Sequence, residues 1–222
     1  MCGRFSQAKE LKEILKRFHA ELAEEIVVKP RYNIPPSQPA LVVYLDDDGR
    51  RKLRLMKWDL GGSWTHKSNG SPVNNLRAET VLGRGFFNKL LQKTRCLVPV
   101  DGYNEWKDKA PYRFVLKDDD QMGLGGVYNT KMRPDGQPEY YFAVITTDAN
   151  EVAKKIHHRQ PVIIPKTKET LWLNRSARQY NYVDCLAPSP AADMSYYAVS
   201  PLLNSTKNDT PELIEPLREV AS

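Results

Sequence analysis

The feature that most constrains this chain's fold is a succession of short β-rich runs separated by turns. Cys96–Val100, Tyr112–Leu116, Gly123–Tyr128 and Tyr140–Thr146 are rich in apolar, β-branched and aromatic residues, over stretches that suit strands rather than helices. Upstream, Ala40–Leu45 and Lys52–Trp58 read as a hairpin around the turn Asp46–Arg50. Downstream, Gln160–Ile164 reads as a strand opened by Pro161. Helical signals are scattered among these runs. Ser6 can cap a helix running to about Leu22, because Leu11, Ile14, Leu15, Phe18 and Leu22 fall at helical spacing. Glu79 to Gln92 reads as a second helix weakened by Gly83 and Gly85, and Val152–Ile156 and Lys166–Leu173 read as short helices. Arg31–Gln38 is rich in turn residues, and Ser63–Ser71 is a polar loop carrying Trp64. This order predicts an α+β single domain over residues 1–222. Its mixed, mostly antiparallel sheet folds into a barrel- or sandwich-like core with flanking helices.

Composition narrows the class of protein. A chain of 222 residues with 41% apolar and 27% charged side chains can bury one sizeable core, which argues against wholesale disorder. Its apolar runs are far shorter than a membrane span, so no membrane partner is expected. No signal-peptide pattern follows Met1, which points to the cytoplasm. Cys2, Cys96 and Cys185 are too widely spaced for a disulfide framework or a CxxC-type metal site, so free thiols are expected. Neither a metal-ligand cluster nor a nucleotide-binding glycine motif is present, and no cofactor is expected. Lys and Arg number 33 against 27 Asp and Glu, a net charge of +6 that permits a polyanionic partner.

Four places carry chemistry. Removal of Met1 would leave Cys2 with an α-amine and a thiol on neighbouring carbons. An amine of pKa about 8 is largely available near neutrality, and a thiol of about 8.5 is partly ionised. Such a 1,2-aminothiol condenses with an aldehyde through a Schiff base, and sulfur attack closes a thiazolidine ring. The alternative is that Cys2 is an incidental thiol near a chain end. Val73–Thr80 packs amides, a cation and a carboxylate together. Asn75, Arg77 and Glu79 share one face if the stretch is extended; otherwise they form a helix N-terminus capped by Glu79 and Thr80. Asp101–Lys107 places Glu105 among aromatics, where a carboxyl's pKa should rise as a general acid or base needs; it equally suits a surface strand with aromatic packing. Ile156–Pro161 holds two of the four histidines, His157 and His158, which can relay protons or simply pack, with Arg159 able to hold a phosphate.

Taken together, Met1-Cys-Gly-Arg-Phe5, Arg31-Tyr-Asn-Ile-Pro-Pro36, Asn75-Leu-Arg-Ala-Glu-Thr80, Arg95-Cys-Leu-Val-Pro-Val-Asp-Gly-Tyr-Asn-Glu-Trp106, Ile145–Asn150, His157-His-Arg-Gln-Pro161 and Asn208–Ile214 occur in order along nearly the whole chain. The set resembles the SRAP family, the SOS response-associated peptidases. The resemblance implies a protein that recognises abasic sites in single-stranded DNA and crosslinks to them through a thiazolidine, shielding the lesion, with associated lyase activity and autoproteolytic release of Met1. It implies that Cys2 is the nucleophile and that Asn75 holds the thiazolidine. It further implies that Glu105 is the acid/base group and that His157 steadies the opened sugar and its 3′ phosphate. Arg4, Arg77 and Arg159 then line the DNA path, Trp64 stacks on a base, and Pro36 sits in a loop near that path. A basic groove with aromatic platforms is what sequence-independent single-strand binding requires. Three positions depart from the family pattern: Asp59 replaces a usual glycine, Thr65 a common second aromatic, and Gln160 a more usual methionine or arginine. Asp59 and Thr65 bear on DNA affinity, and none of the three is a proposed chemical residue. The family name supports a rival reading as a cysteine peptidase or N-terminal nucleophile hydrolase acting on peptides. A non-covalent single-strand DNA-binding module is the other alternative. A monomer is expected.

Overall fold

The computed structural model describes residues 2–60, 72–83, 85–118 and 120–217. In chain order the elements are β1 (Arg4–Gln7), α1 (Leu11–Phe18), β2 (Glu21–Leu22), β3 (Arg31–Ile34), β4 (Pro39–Leu45), β5 (Arg51–Trp58), β6 (Asn75–Arg77), α2 (Ala78–Leu82) and α3 (Phe86–Lys93). There follow β7 (Arg95–Val100), β8 (Gly102–Lys107), β9 (Ala110–Leu116), β10 (Met122–Met132), β11 (Pro138–Asp148), β12 (Arg159–Pro161), β13 (Ile163–Ile164), α4 (Glu169–Leu173), α5 (Gln179–Tyr182) and β14 (Met194–Ala198).

Strands β10, β7, β4 and β5 pair antiparallel in succession, and β10 also pairs antiparallel with β11. A parallel pairing of β11 with β5, Tyr141 opposite Lys57 and Phe142 opposite Trp58, closes these five strands into a barrel. Both faces of the barrel strands are covered. Leu41, Val43, Leu53 and Leu97 pack with α1, α3 and α4 through Phe18, Leu91 and Trp172. Val42, Met56, Trp58, Val98 and Phe142 pack instead with Phe5, Tyr103 and Phe114. These last belong to a second, wholly antiparallel sheet in the order β14-β9-β8-β1-β3. Two-sided burial explains why Cys96–Val100 reads as an unbroken run: every residue of β7 is buried.

Several expected elements take another form. Ser6 caps no helix. It lies in β1, where its hydroxyl donates to Asp101 Oδ2 at 2.8 Å and accepts from Arg113 Nη1 at 2.7 Å. The first helix starts later, at Leu11, and stops at Phe18 because His19 turns left-handed (φ 49°). Leu22 then joins the barrel edge opposite Leu53. The expected helix over Glu79–Gln92 is two helices, broken where Gly83 is extended and Gly85 takes φ 108°. Val152–Ile156 contains a single 3-10 turn at Ala153–Lys155, and Lys166–Leu173 is a 3-10 turn followed by α4. Gln160–Ile164 divides between β12, paired with β11, and β13, paired with β10. The polar loop expected at Ser63–Ser71 lies outside the described residues. Among the described residues no helix is long and apolar enough to cross a membrane.

Candidate functional site

Cys2 precedes β1 and is completely buried in the cluster that joins the second sheet to the barrel. Its carbonyl oxygen accepts a 3.0 Å hydrogen bond from Asn75 Nδ2, and its thiol lies 3.9 Å from the carbonyl oxygen of Arg4. Asn75 reaches that position because β6 pairs parallel with β11, Asn75 opposite Val144 and Leu76 opposite Ile145. The strand is pinned one residue earlier. The Asn74 carbonyl accepts from both Trp58 Nε1 (2.7 Å) and Val144 N (3.0 Å). Among the described residues, the buried Oδ1 of Asn75 has no hydrogen-bond partner, so the amide holds the cysteine with one end and offers an acceptor with the other.

Glu105 enters from β8, which pairs with β1 so that Tyr103 faces Phe5 and Asn104 faces Arg4. Strand alternation therefore turns Tyr103 and Glu105 to the side of Phe5 and the barrel, away from Arg4. Burial pushes the Glu105 carboxyl up to about 7. Burial also raises the Cys2 thiol far above its ordinary range, and the negative charge of Glu105 adds to the effect. A thiol so disfavoured as an anion needs a neighbouring base, and Glu105 is half ionised near neutrality.

His157 lies between the 3-10 turn at Ala153–Lys155 and β12. Its Nδ1 accepts from the backbone N–H of Arg159 at 3.0 Å, and its ring stacks on His158 with centroids 4.3 Å apart. Burial lowers its pKa, which keeps the imidazole neutral. Nδ1 also lies 3.2 Å from the carbonyl oxygen of Arg159, so the backbone of that residue meets this nitrogen with both a donor and an acceptor and fixes the ring's orientation.

The three arginines singled out from the sequence have different surroundings. Arg77 is exposed, two residues from Asn75 on the same strand. Arg4 is half-buried on the far face of the second sheet: Nη1 donates to Asn33 Oδ1 at 2.8 Å, and the guanidinium lies 5.8 Å over the Trp106 ring. Arg159 is buried and engaged by protein. Its Nη1 and Nη2 bond Glu79 at 2.8 and 3.1 Å, with further bonds to Asp148 (2.7 Å) and the Thr146 carbonyl (2.7 Å). Glu79 thus belongs to the first turn of α2 and binds Arg159. Pro36 is half-buried in the turn between β3 and β4. Trp64 and Thr65 lie outside the described residues; Asp59 is buried, and Asp59 Oδ1 accepts from Val73 N at 3.1 Å ahead of β6. Among the described residues no group of three or more His, Cys, Asp or Glu side chains is placed to hold a metal ion.

Two supports of the site are not evident from the sequence. Trp58 anchors β6 through its indole N–H, although in the sequence it only closes a hairpin strand. Arg113 reaches across Gly102 to bind Ser6 and Asp101 (2.7 Å to Asp101 Oδ2), tying β9, β8 and β1 together.

A closed barrel joined to a second antiparallel sheet defines an α+β protein, and the buried thiol of Cys2 and the buried carboxyl of Glu105 lie where the two sheets meet. The family profile described as SOS response associated peptidase (SRAP) matches residues 1–206. The chain is 37% identical to the abasic site processing protein YoqW of Bacillus subtilis over 97% of its own length and 99% of that protein. It is 29% identical to the abasic site processing protein HMCES of Gallus gallus, covering 91% of this chain and 70% of the relative. A crystal structure of a Bacteroides thetaiotaomicron protein superposes with a TM-score of 0.84 at 22% identity, over 98% of this chain and all of that one, a likeness of fold. The chain belongs to the SOS response associated peptidase family.

Proposed function

We propose that this protein recognises abasic sites in single-stranded DNA and joins itself to them through Cys2 once Met1 has been removed. The observation that carries the reading is the pairing of a buried Cys2, its carbonyl held by Asn75, with a carboxyl at Glu105 that titrates near neutrality. The names of the relatives YoqW and HMCES support the choice of abasic DNA.

The proposed chemistry balances within the site. The Cys2 α-amine adds to the aldehyde of the ring-opened sugar. Neutral Glu105 protonates the departing hydroxyl, water leaves, and a Schiff base remains. Glu105, now a carboxylate, takes the thiol proton as sulfur attacks the imine carbon. A C–S bond forms, the imine electron pair returns to nitrogen, and a five-membered thiazolidine results. Asn75 presents its amide to the forming ring, and His157 directs its imidazole at the opened sugar or the phosphate on its 3′ side. Holding amine, thiol and aldehyde together can contribute on the order of 7–11 kcal/mol to such a ring closure. Arg77 contacts the phosphate backbone directly. Arg4 and Arg159, whose guanidiniums are engaged by protein, shape the DNA path from behind. The Schiff base also permits β-elimination of the 3′ phosphate, a lyase side reaction that ring closure suppresses. Release of Met1 by the chain itself is the one peptidase step this reading needs.

Purified protein, checked for loss of Met1 by mass spectrometry, is incubated with single-stranded DNA bearing one abasic site and run on a denaturing gel. A heat- and SDS-resistant band is expected, absent with intact DNA and with Cys2→Ala. No band from correctly processed protein would reject the crosslinking reading. Turnover of supplied peptides by the same preparation would favour the peptidase alternative.

A further inference from the structure

We propose that the buried hydroxyl of Tyr103 is a further positioning group of this site, donating a hydrogen bond to Cys2 Sγ when the thiol gives up its proton. The inference rests on the reading of Cys2 as the nucleophile.

Tyr103 and Glu105 flank Asn104 on β8, so their side chains leave the strand on one side, the side of Phe5 and the barrel. Cys2, Phe5, Tyr103 and Phe114 form part of one buried cluster. The Tyr103 ring is completely buried and stacks on Phe114, with centroids 4.9 Å apart and planes within 7°. A ring so clamped cannot swing its hydroxyl to solvent. Among the described residues that hydroxyl has no hydrogen-bond partner. An orphaned buried hydroxyl is destabilising, and phenylalanine would fill the same space without it. A tyrosine here therefore suits a partner that appears only in the reaction.

The thiolate of Cys2 is such a partner. As a neutral thiol, Cys2 approaches the Arg4 carbonyl oxygen, an acceptor that can only repel the anion. Asn75 Nδ2 directs one of its two N–H groups to the Cys2 carbonyl and not to the sulfur. Burial first, and then the negative charges of Cys2 and Glu105, hold the Tyr103 phenol protonated, so it acts as a donor and not as a base. The other charged groups of β1 and β9 turn away: Arg4 lies over Trp106, and Arg113 binds Ser6 and Asp101 on the opposite face of the sheet. A hydrogen bond to an anion is about twice as strong as a neutral one. Its loss leaves the thiolate less accessible and the thiol slower.

The test compares wild type and Tyr103→Phe, both verified to lack Met1, by the rate of Cys2 alkylation with iodoacetamide across neutral to alkaline pH, located by peptide mass spectrometry. Tyr103→Phe is expected to alkylate roughly tenfold more slowly, its pH profile displaced upward by about one unit. Its thermal midpoint stays the same or rises, because an orphaned polar group has been removed. Adduct formation with abasic DNA falls by a similar factor. Incorporation of 3-fluorotyrosine, a stronger donor, shifts the alkylation profile the other way. An alkylation profile in Tyr103→Phe that superposes on wild type overturns the inference, as does a fall in thermal midpoint with reactivity unchanged. Alkylation is read without DNA, so failure of wild type to form an adduct would remove the function proposed above while this comparison still decides the role of Tyr103.

Discussion

Asn75 holds Cys2 by its backbone and leaves the thiol unbonded to the amide: Nδ2 donates to the cysteine carbonyl at 3.0 Å. The bond joins β6, on the barrel side, to the N-terminal segment of the other sheet. Replacing Asn75 with alanine removes the only described side chain bonding that carbonyl and frees the segment to move. The expected result is a faster reaction of Cys2 with small alkylating reagents together with slower adduct formation on abasic DNA, by at least about tenfold, because proximity is lost while exposure is gained. Parallel alkylation and gel assays read the two effects. If both rates fall together, Asn75 acts on the thiol itself and not on its placement.

Glu105 makes stability depend on pH in a defined direction. Burial raises its carboxyl from an ordinary 4.5 to about 7, so between those values the folded protein keeps a proton that the unfolded chain has released. The contribution is fully present below about pH 4.5 and is lost as pH rises through about 7, at most about 3 kcal/mol in all. Glu105→Gln cannot release that proton. The stability difference between variant and wild type, measured by urea unfolding at several pH values, should grow in the variant's favour across this window and then level off. Adduct formation by the variant should fall on the order of 10²-fold or more and lose its dependence on a group titrating near neutrality. A stability difference that does not change with pH would show that Glu105 is not held protonated.

Arg77 and Arg159 should separate cleanly, although both stood out in the sequence as candidates for the DNA path. Arg77 is exposed, so Arg77→Ala should leave the thermal midpoint within about a degree while flattening the log–log salt dependence of single-strand binding by about 0.7. Arg159 is buried against Glu79, Asp148 and the Thr146 carbonyl, and its backbone N–H orients His157. Arg159→Ala should cost about 2 kcal/mol, or roughly 4–8 °C, and slow adduct formation at low and high salt alike. Fluorescence anisotropy over a salt series and thermal unfolding of both variants decide the matter. The reverse pattern would exchange the two roles.

Much of the barrel was legible because its strands are short runs bounded by turn residues, apolar on both faces in the middle of β4 and interleaved with Arg51, Lys52, Arg54 and Lys57 in β5. Of the second sheet only β9 is plain in the sequence, as the run Tyr112–Leu116. The strands of this sheet carry the polar residues Arg4, Ser6, Asn33, Asn104 and Arg113, and Ser6 reads as a helix cap. In the structure Ser6, Asn33, Asn104 and Arg113 are buried and Arg4 is half-buried, with Asn33 Nδ2 bonding the carbonyls of Leu203, Ser205 and Asn208 in the C-terminal segment. No local periodicity can reveal that a distant tail will cover a polar face. The same limit applies to the site. Cys2 and Glu105 stood out by chemistry and by motif, whereas Tyr103 looked like one more aromatic in a strand, and its meaning depends on which side of β8 faces the cysteine. Arg159 looked free because its partner Glu79 is 80 residues away in sequence.

Gly102 is required by a side chain from the next strand. A Cβ at this position would overlap the Arg113 guanidinium, which lies across the backbone of β8 to reach Ser6 Oγ and Asp101 Oδ2 at 2.7 Å each. Arg113 is 3% exposed and has no solvent to retreat into, so Gly102→Ala must displace a buried cation from its carboxylate. The expected cost is about 2–4 kcal/mol, far above the small gain alanine normally brings to a strand. The overlap itself can be isolated by repeating the substitution in an Arg113→Met background, where the longer reach across β8 is gone. There the cost of Gly102→Ala should shrink to under about 1 kcal/mol, with the difference between the two backgrounds appearing as a coupling energy in the double-mutant cycle. An equal cost in both backgrounds would mean that the backbone of β8, and not the guanidinium above it, demands glycine.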